Sequence, residues 1–310
     1  MAAEVMMVWL RTSALRVMAA EVTMVWLRTS AFLILSVLLA RKVCSRAGAW
    51  LIYLWFTRPY LKSKASTTGI DVRNKKKLQV ILCGIPRTGT MSLMRALNIL
   101  GFPCFHGIHL MKPTNADLFL KAFRTGNSKH WQKLLDGYAA IADVPAACAY
   151  KQLMGIFPNA KIILNIRDPN KWYDSFSKTL VGVTHDPEHA IFRFITPIAA
   201  KCIKSALYDP LFSGKPQDRE ICIKAYVQHT CDVKQCVASP NLLIYDIEEE
   251  EEGWSRLCEF LNVPIPDSAF PRTNNRKLMR ARIARVARTY TIAVSMYVAV
   301  VACVLAFLLC

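Results

Sequence analysis

Neither an Asn-x-Ser/Thr acceptor nor a CxxC pair occurs anywhere in the 310 residues. The 11 cysteines are odd in number and scattered, with Cys231 and Cys236 the nearest pair. Such spacing argues against a zinc site and against a disulfide framework. Both absences favour a reducing, cytosolic setting for the folded part. Acidic residues are few: 22 Asp and Glu against 40 Lys and Arg leave a formal charge of +18. A balance this basic favours anionic partners, whether nucleic acid, anionic lipid or phosphorylated and sulfated small molecules. A basic membrane flank and a solvated surface account for part of it. Charge is missing altogether from Thr289–Cys310, and apolar residues make up 53% of the chain, above the usual soluble range.

What is present divides the chain into segments. Met1–Ala14 and Met18–Ala31 are identical except for Met6 against Thr23. Two copies fall short of a solenoid, which needs about three. A local duplication or a gene-model artefact explains them, and Met18 is an alternative start. Thr29–Ala40 is apolar but too short to span a bilayer, which takes about 20 residues. Ala47–Thr57 is a second apolar run, rich in Trp and Tyr. Together they suit interfacial association or a hairpin. A signal-anchor is the sharper alternative, interrupted by Arg28, Arg41 and Arg46. The expected layout is a duplicated, apolar, membrane-associated segment over 1–62, a basic linker over 63–77 and a globular domain over 78–275. A basic juxtamembrane stretch over 276–288 and a transmembrane helix over 289–310 complete it. Arg276, Lys277, Arg280, Arg282, Arg285 and Arg288 precede that helix. Positive residues stay on the cytosolic side, so the domain is expected to face the cytosol. A Golgi membrane with a lumenal domain is the alternative.

Within the globular part, Leu78–Cys83 (LQVILC) suits a buried parallel strand. Ser92–Leu100 follows with helical spacing of Leu93, Ala96, Leu97 and Leu100. Lys161–Ile166 (KIILNI) and Asn241–Tyr245 (NLLIY) read as further strands, with helical patterns between. Alternation of this kind predicts an α/β fold: three α/β/α layers around a mainly parallel sheet. Phe176–Arg219 is expected to be helical and to shape a pocket.

Gly84-Ile85-Pro86-Arg87-Thr88-Gly89-Thr90 follows the first strand and opens the next helix. Backbone N–H groups there point at an anion, and the helix dipole adds attraction. Gly84 and Gly89 allow the tight turn and close approach. An ATP or GTP loop reads GxxxxGK[ST]; here Thr90 replaces the Lys and Met91 the Ser/Thr, which argues against NTP hydrolysis. The cation has moved inside the loop, to Arg87, whose planar guanidinium suits an anion with several oxygens. The plain alternative is an ordinary strand-turn-helix with Arg87 at the surface.

GIPRTGTMSL resembles the 5′-phosphosulfate loop of P-loop-like sulfotransferases. It is most similar to a fungal and invertebrate group whose loop reads G-L-P-R-T-G-T-x-S, followed by a Leu-Gly-Phe turn and a His. Leu100-Gly101-Phe102 and His106 continue that pattern. So do Asp143-Val144-Pro145, Phe157-Pro158-Asn159-Ala160-Lys161, Arg167-Asp168-Pro169, Glu252-Gly253-Trp254 and Phe270-Pro271-Arg272-Thr273-Asn274. The match covers roughly Leu78 to Asn275. Members of the group are sometimes labelled NAD-dependent nucleotide-sugar epimerases, but no GxGxxG follows the first strand here.

The resemblance implies 3′-phosphoadenosine-5′-phosphosulfate (PAPS) as sulfuryl donor. Gly84, Pro86, Arg87, Thr88, Gly89 and Thr90 would hold its phosphosulfate. Arg167 and Ser175 would bind the 3′-phosphate, Arg supplying a fork of donors and Ser a hydroxyl. Arg272 is a further candidate for that phosphate. The plain alternative pairs Arg167 with an acid and leaves Ser175 a mere helix residue. Asp168 and Pro169 suit the start of the helix after Arg167. Sulfuryl transfer also needs a base and a cation on the leaving oxygen; no metal is required in principle. By resemblance the base lies near the end of the strand after the loop helix, where His106 and His109 fall. His106 is preferred, a core or surface histidine being the plain alternative. Asp143 is second, as base, acceptor-orienting group or helix cap. Glu248–Glu252 reads as a solvated face at the start of the next helix. The expected acceptor is a small molecule, lipid or glycan, the expected partner a membrane, and nucleic acid is not expected. A kinase-like NTP-binding protein and an inactive membrane-bound interaction module are the competing readings.

Overall fold

The computed structural model describes residues 77–186, 197–246, 248, 253–272 and isolated positions from 288 onward. Val80–Leu82 (β1) is buried along its whole length. It is an uninterrupted apolar run, as expected of a strand covered on both faces. The chain leaves it through a loop and enters α1 (Thr90–Ile99), which begins two residues before the predicted helix. Two-residue β2 (Cys104–Phe105) follows, then a single 3₁₀ turn over Gly107–Met111, α2 (Pro113–Thr125) and α3 (Ser128–Leu134). Next come β3 (Ala140–Ile141), α4 (Val144–Ile156), β4 (Lys161–Ile166) and α5 (Pro169–Phe176). Pro197–Ile203 (α6), Arg219–Cys236 (α7), Leu242–Asp246 (β5) and Ser255–Leu261 (α8) complete the described elements used below.

The sheet order is β2–β3–β1–β4–β5. Its four pairings are all parallel, so the strand sequences KIILNI and NLLIY were assigned to the right architecture. Val80, Leu82 and Ile163 face one cluster, built with Leu93 and Leu97 of α1 and Leu257 of α8. Ile81, Ile162 and Leu164 face the other, built with Leu153 of α4, Trp172 of α5 and Val233 of α7. Side chains alternate across a strand. The two clusters therefore lie on opposite faces, and the layers are α/β/α.

Beyond α5 the helical path is irregular. It widens into π turns at Ser177–Val181 and Lys204–Tyr208. Trp172 anchors this region, stacking on Tyr226 at 4.5 Å and on Phe176 at 5.1 Å between ring centroids. The expected helical character of Phe176–Arg219 is met over its described parts. Among the described residues no helix is long and apolar enough to cross a membrane. The expected span at 289–310 lies outside them except for isolated positions, as do the duplicated 1–62 segment and nearly all of the linker.

Candidate active site

A wholly parallel sheet sends every strand's C-terminal end to one edge. Gly84 lies two residues past β1, His106 one past β2, Asp143 two past β3, Arg167 one past β4 and Glu248 two past β5. Residues far apart in sequence are thus gathered along a single edge, the usual place for ligands in such sheets.

The loop after β1 is held from outside by three elements. From α7, His229 donates its Nε2–H to the Cys83 carbonyl at 2.7 Å. From β4, Asn165 Oδ1 accepts the Gly84 N–H at 3.1 Å, and its Nδ2 donates to the Thr88 carbonyl at 3.2 Å and the Thr88 hydroxyl at 2.5 Å. From α5, the Trp172 indole N–H donates to the Pro86 carbonyl at 3.0 Å. Thr88 closes the loop on itself by donating to the Ile85 carbonyl at 2.7 Å. Gly84 is required by close approach: a Cβ there would stand 2.3 Å from the Asn165 carbonyl oxygen. Gly89 caps α1 with φ 88°, and the first turn of that helix has neither a side-chain cap nor an acidic residue. The carboxylate that meets its N-terminal positive end comes from elsewhere in the fold, from Asp143 through the Thr90 hydroxyl.

Arg87 takes φ 83°, a left-handed conformation uncommon outside Gly, Asn and Asp. Its guanidinium Nε–H donates to Ser175 Oγ at 3.1 Å, and Ser175 is fully buried on α5. The loop cation and the helix hydroxyl that the sequence singled out thus meet.

Arg167 is placed differently. Asp168 caps α5 by accepting the Lys171 N–H at 2.9 Å, with Pro169 in the first turn as anticipated. The Tyr226 hydroxyl bridges the Arg167 main chain, accepting from its N–H and donating to its carbonyl, both at 2.9 Å. Burial pushes that tyrosine up to about 12, so it stays protonated. The Arg167 guanidinium pairs with Glu248 at 2.5 Å, and Lys171 stands 3.6 Å from the same carboxylate. Arg167 Nε is buried without a hydrogen-bond partner. Glu248 is therefore not simply part of a solvated face; residues 249–252 lie outside the described part. Arg272 is exposed on the segment after α8.

A third group joins α1, β2 and β3. The Thr90 hydroxyl donates to Asp143 Oδ2 at 2.9 Å. His106 Nε2 lies 3.1 Å from Thr90 Oγ1 and 3.2 Å from Asp143 Oδ2. Asp143 Oδ1 accepts the Val144 N–H at 2.7 Å, so Asp143 does cap α4. His106 is buried, and burial lowers its pKa below the usual histidine value; the nearby Asp143 opposes that shift and Arg87 adds to it. His109 is also buried and is lowered to about 4, mainly by burial. Its Nδ1 accepts the His106 N–H at 2.9 Å, and its ring stacks on Phe105. His109 therefore supports the turn behind His106.

Asn165, Tyr226, His229 and Gly107 were not singled out by sequence reasoning. Asn165 left a signal, a polar residue inside the apolar KIILNI run. The others carry none, because their partners lie far away in the chain.

A phosphate-type loop between β1 and α1 of a parallel sheet, with its cation displaced to Arg87, defines a P-loop-like α/β domain. The sequence profile of the sulfotransferase domain matches residues 79–279, and the chain belongs to the sulfotransferase family. It is also similar to "Ava biosynthesis cluster protein M" of Aspergillus versicolor, 28% identical over 213 residues that span 63% of this chain and 80% of the relative.

Proposed function

We propose that the domain transfers a sulfuryl group from PAPS to a hydroxyl of a small-molecule, lipid or glycan acceptor. The observation that carries this reading is the Arg87–Ser175 hydrogen bond. It couples the residue assigned to the phosphosulfate with the one assigned to the 3′-phosphate. In the reaction the acceptor oxygen bonds to sulfur as the bond from sulfur to the bridging phosphate oxygen breaks. The electron pair leaves on that oxygen, giving 3′,5′-ADP. Arg87 and the α1 N-terminus stabilise the developing charge, and the proton passes to the His106–Asp143 pair. Arg167, Ser175 and Arg272 hold the 3′-phosphate. A relative named for a biosynthesis cluster favours a small-molecule acceptor.

Incubating the full-length protein with labelled PAPS and a set of hydroxyl acceptors tests the reading, alongside titration with 3′,5′-ADP. Sulfated product and saturable 3′,5′-ADP binding are expected. Tight Mg·ATP binding without 3′,5′-ADP binding would instead favour the kinase-like alternative. Binding of 3′,5′-ADP without any transfer would favour an inactive module. The placement proposed for the domain is the cytosolic face of a membrane, anchored through Thr289–Cys310 behind its six basic residues. Protease digestion of sealed microsomes checks it: a domain that survives until detergent is added is lumenal.

A further inference from the structure

The proposed transfer needs a proton acceptor, and the strand edge offers two, His106 and Asp143. Resting on that reading, we propose that Asp143 receives the acceptor's proton and that His106 is a fixed Nε2–H donor that positions it.

The tautomer follows from the main chain. His106 Nδ1 accepts the Ile108 N–H at 3.1 Å, as the cap of the 3₁₀ turn after β2. A backbone N–H can only donate, so the ring's lone pair is on Nδ1 and its proton on Nε2. Nε2 is the atom that faces Asp143 Oδ2 and Thr90 Oγ1. To accept a proton there, the ring would have to move its own proton to Nδ1, against the Ile108 N–H. That exchange loses the cap and leaves two donors facing each other.

Asp143 has the complementary properties. A carboxylate offers about four lone-pair sites. Oδ1 takes the Val144 N–H and Oδ2 the Thr90 hydroxyl, while His106 Nε2 bonds Thr90 Oγ1 at 3.1 Å and lies 3.2 Å from Oδ2. Lone-pair sites are left for an acceptor hydroxyl. The Asp143 side chain is 14% exposed and the His106 ring only 6%, so substrate reaches the carboxylate more readily than the imidazole. Its backbone sits at φ 68°, ψ −152°, a region occupied almost only by glycine. Side chains held there cost about 1–3 kcal/mol and cluster at functional sites. Room for the carboxylate exists because residue 107 is glycine: a Cβ there would stand 2.5 Å from Asp143 Oδ1. The titratable and charged groups around Asp143 are Cys104 in β2 and His106 just after it, Cys148 on α4 and Arg87 in the loop, with His109 behind His106. Burial pushes both thiols well up, so neither supplies a thiolate beside the carboxylate.

In the transfer step the acceptor O–H breaks toward an Asp143 oxygen as the O–S bond forms. The S–O bond to phosphate opens and its electron pair stays on 3′,5′-ADP. Asp143 then releases the proton to solvent.

Two measurements on the full chain test this. The first is the nitrogen-15 spectrum of the histidine rings, expected to show His106 protonated at Nε2 and bare at Nδ1. A proton on Nδ1 overturns the proposal whatever the activity. The second is transfer from labelled PAPS to 2-naphthol, with 3′,5′-ADP binding followed in parallel. Asp143→Asn, which keeps the size and shape of the side chain, should lower kcat by about 10²–10⁴-fold while 3′,5′-ADP still binds. Gly107→Ala, whose Cβ would displace the Asp143 carboxylate, should also depress kcat rather than donor affinity. His106→Gln keeps an N–H near the Nε2 position and should lose about tenfold, with the acid limb of its pH–rate profile retained. Loss of that limb in His106→Gln, with a rate as low as in Asp143→Asn, would make His106 the base. Failure of the wild type to bind 3′,5′-ADP would instead remove the donor reading itself.

Discussion

Arg87 and Arg167 both follow a strand end, yet their surroundings assign them different energetic roles. Arg87 donates its Nε–H to the Ser175 hydroxyl, which fixes the guanidinium within the loop proposed to hold the phosphosulfate. Arg87→Ala is expected to slow transfer by about 10²–10³-fold, read from labelled product formation at saturating PAPS. Arg87→Lys should restore little, because an ammonium lacks the planar fork that spans Ser175 and a phosphosulfate. Arg167 already carries a carboxylate partner, Glu248, which a 3′-phosphate must displace or outcompete. Arg167→Ala should therefore weaken 3′,5′-ADP binding far more than 5′-AMP binding, since only the former has the phosphate. Glu248→Gln should act in the opposite direction. Glu248 is 36% exposed, so screening limits the gain to about two- to fivefold in 3′,5′-ADP affinity. Calorimetric titration with both nucleotides separates these cases, and equal losses for both ligands in Arg167→Ala would make that residue structural.

At the scale of elements, the loop after β1 owes its shape to β4, α5 and α7 more than to its own residues. Asn165 spends both ends of its amide on the loop. Asn165→Ala leaves those buried groups without partners and should cost about 1–3 kcal/mol, measurable by urea unfolding. Gly84→Ala forces a Cβ against the main chain of β4. Because a backbone oxygen cannot swing aside as a side chain can, overpacking of about 1–3 kcal/mol is expected. Binding of 3′,5′-ADP should fall with it. The glycines were legible in the motif, and Asn165 was half-legible as the one polar residue of an apolar strand. Trp172 and Tyr226 were not legible as supports, because an aromatic at helical spacing reads equally well as core.

For the whole molecule, three histidines buried among the described residues contribute to the response to acid. Burial lowers the pKa of His106, His109 and His229 below the usual histidine value. An unfolded chain takes up protons at these sites near pH 6.5, while the folded chain does not. Their contribution to stability is fully present above that pH and falls as the pH drops toward the folded pKa. For His109, lowered to about 4, the window runs from about pH 6.5 to about 4 and the loss is on the order of 3 kcal/mol. Thermal unfolding followed across that range should show a falling Tm, with a shallower slope in His109→Gln. A Tm independent of pH over the window would mean that these rings are hydrated in the folded protein.

The sequence by itself determined the layered parallel α/β architecture, the position of the anion-binding loop and the absence of a Walker lysine. These depend on local signals: uninterrupted apolar strands, helical spacing, and a glycine-bounded turn between them. It also marked Arg87 and Arg167 through their place after strands, and His106, Asp143 and Ser175 through the family resemblance. What it left open was which of these touch, and in which protonation state. Only the tertiary structure decided that, because the order β2–β3–β1–β4–β5 places β3 directly beside β1 and so brings Asp143 to Thr90 across 53 residues of chain. The same packing turned His106 from a free base in the sequence into a donor whose Nδ1 is already engaged by the Ile108 N–H. It also drew Glu248 out of an acidic run and onto Arg167. Spacing along a chain limits only local geometry, whereas hydrogen-bond roles are set by whatever the fold brings to the other end of the bond.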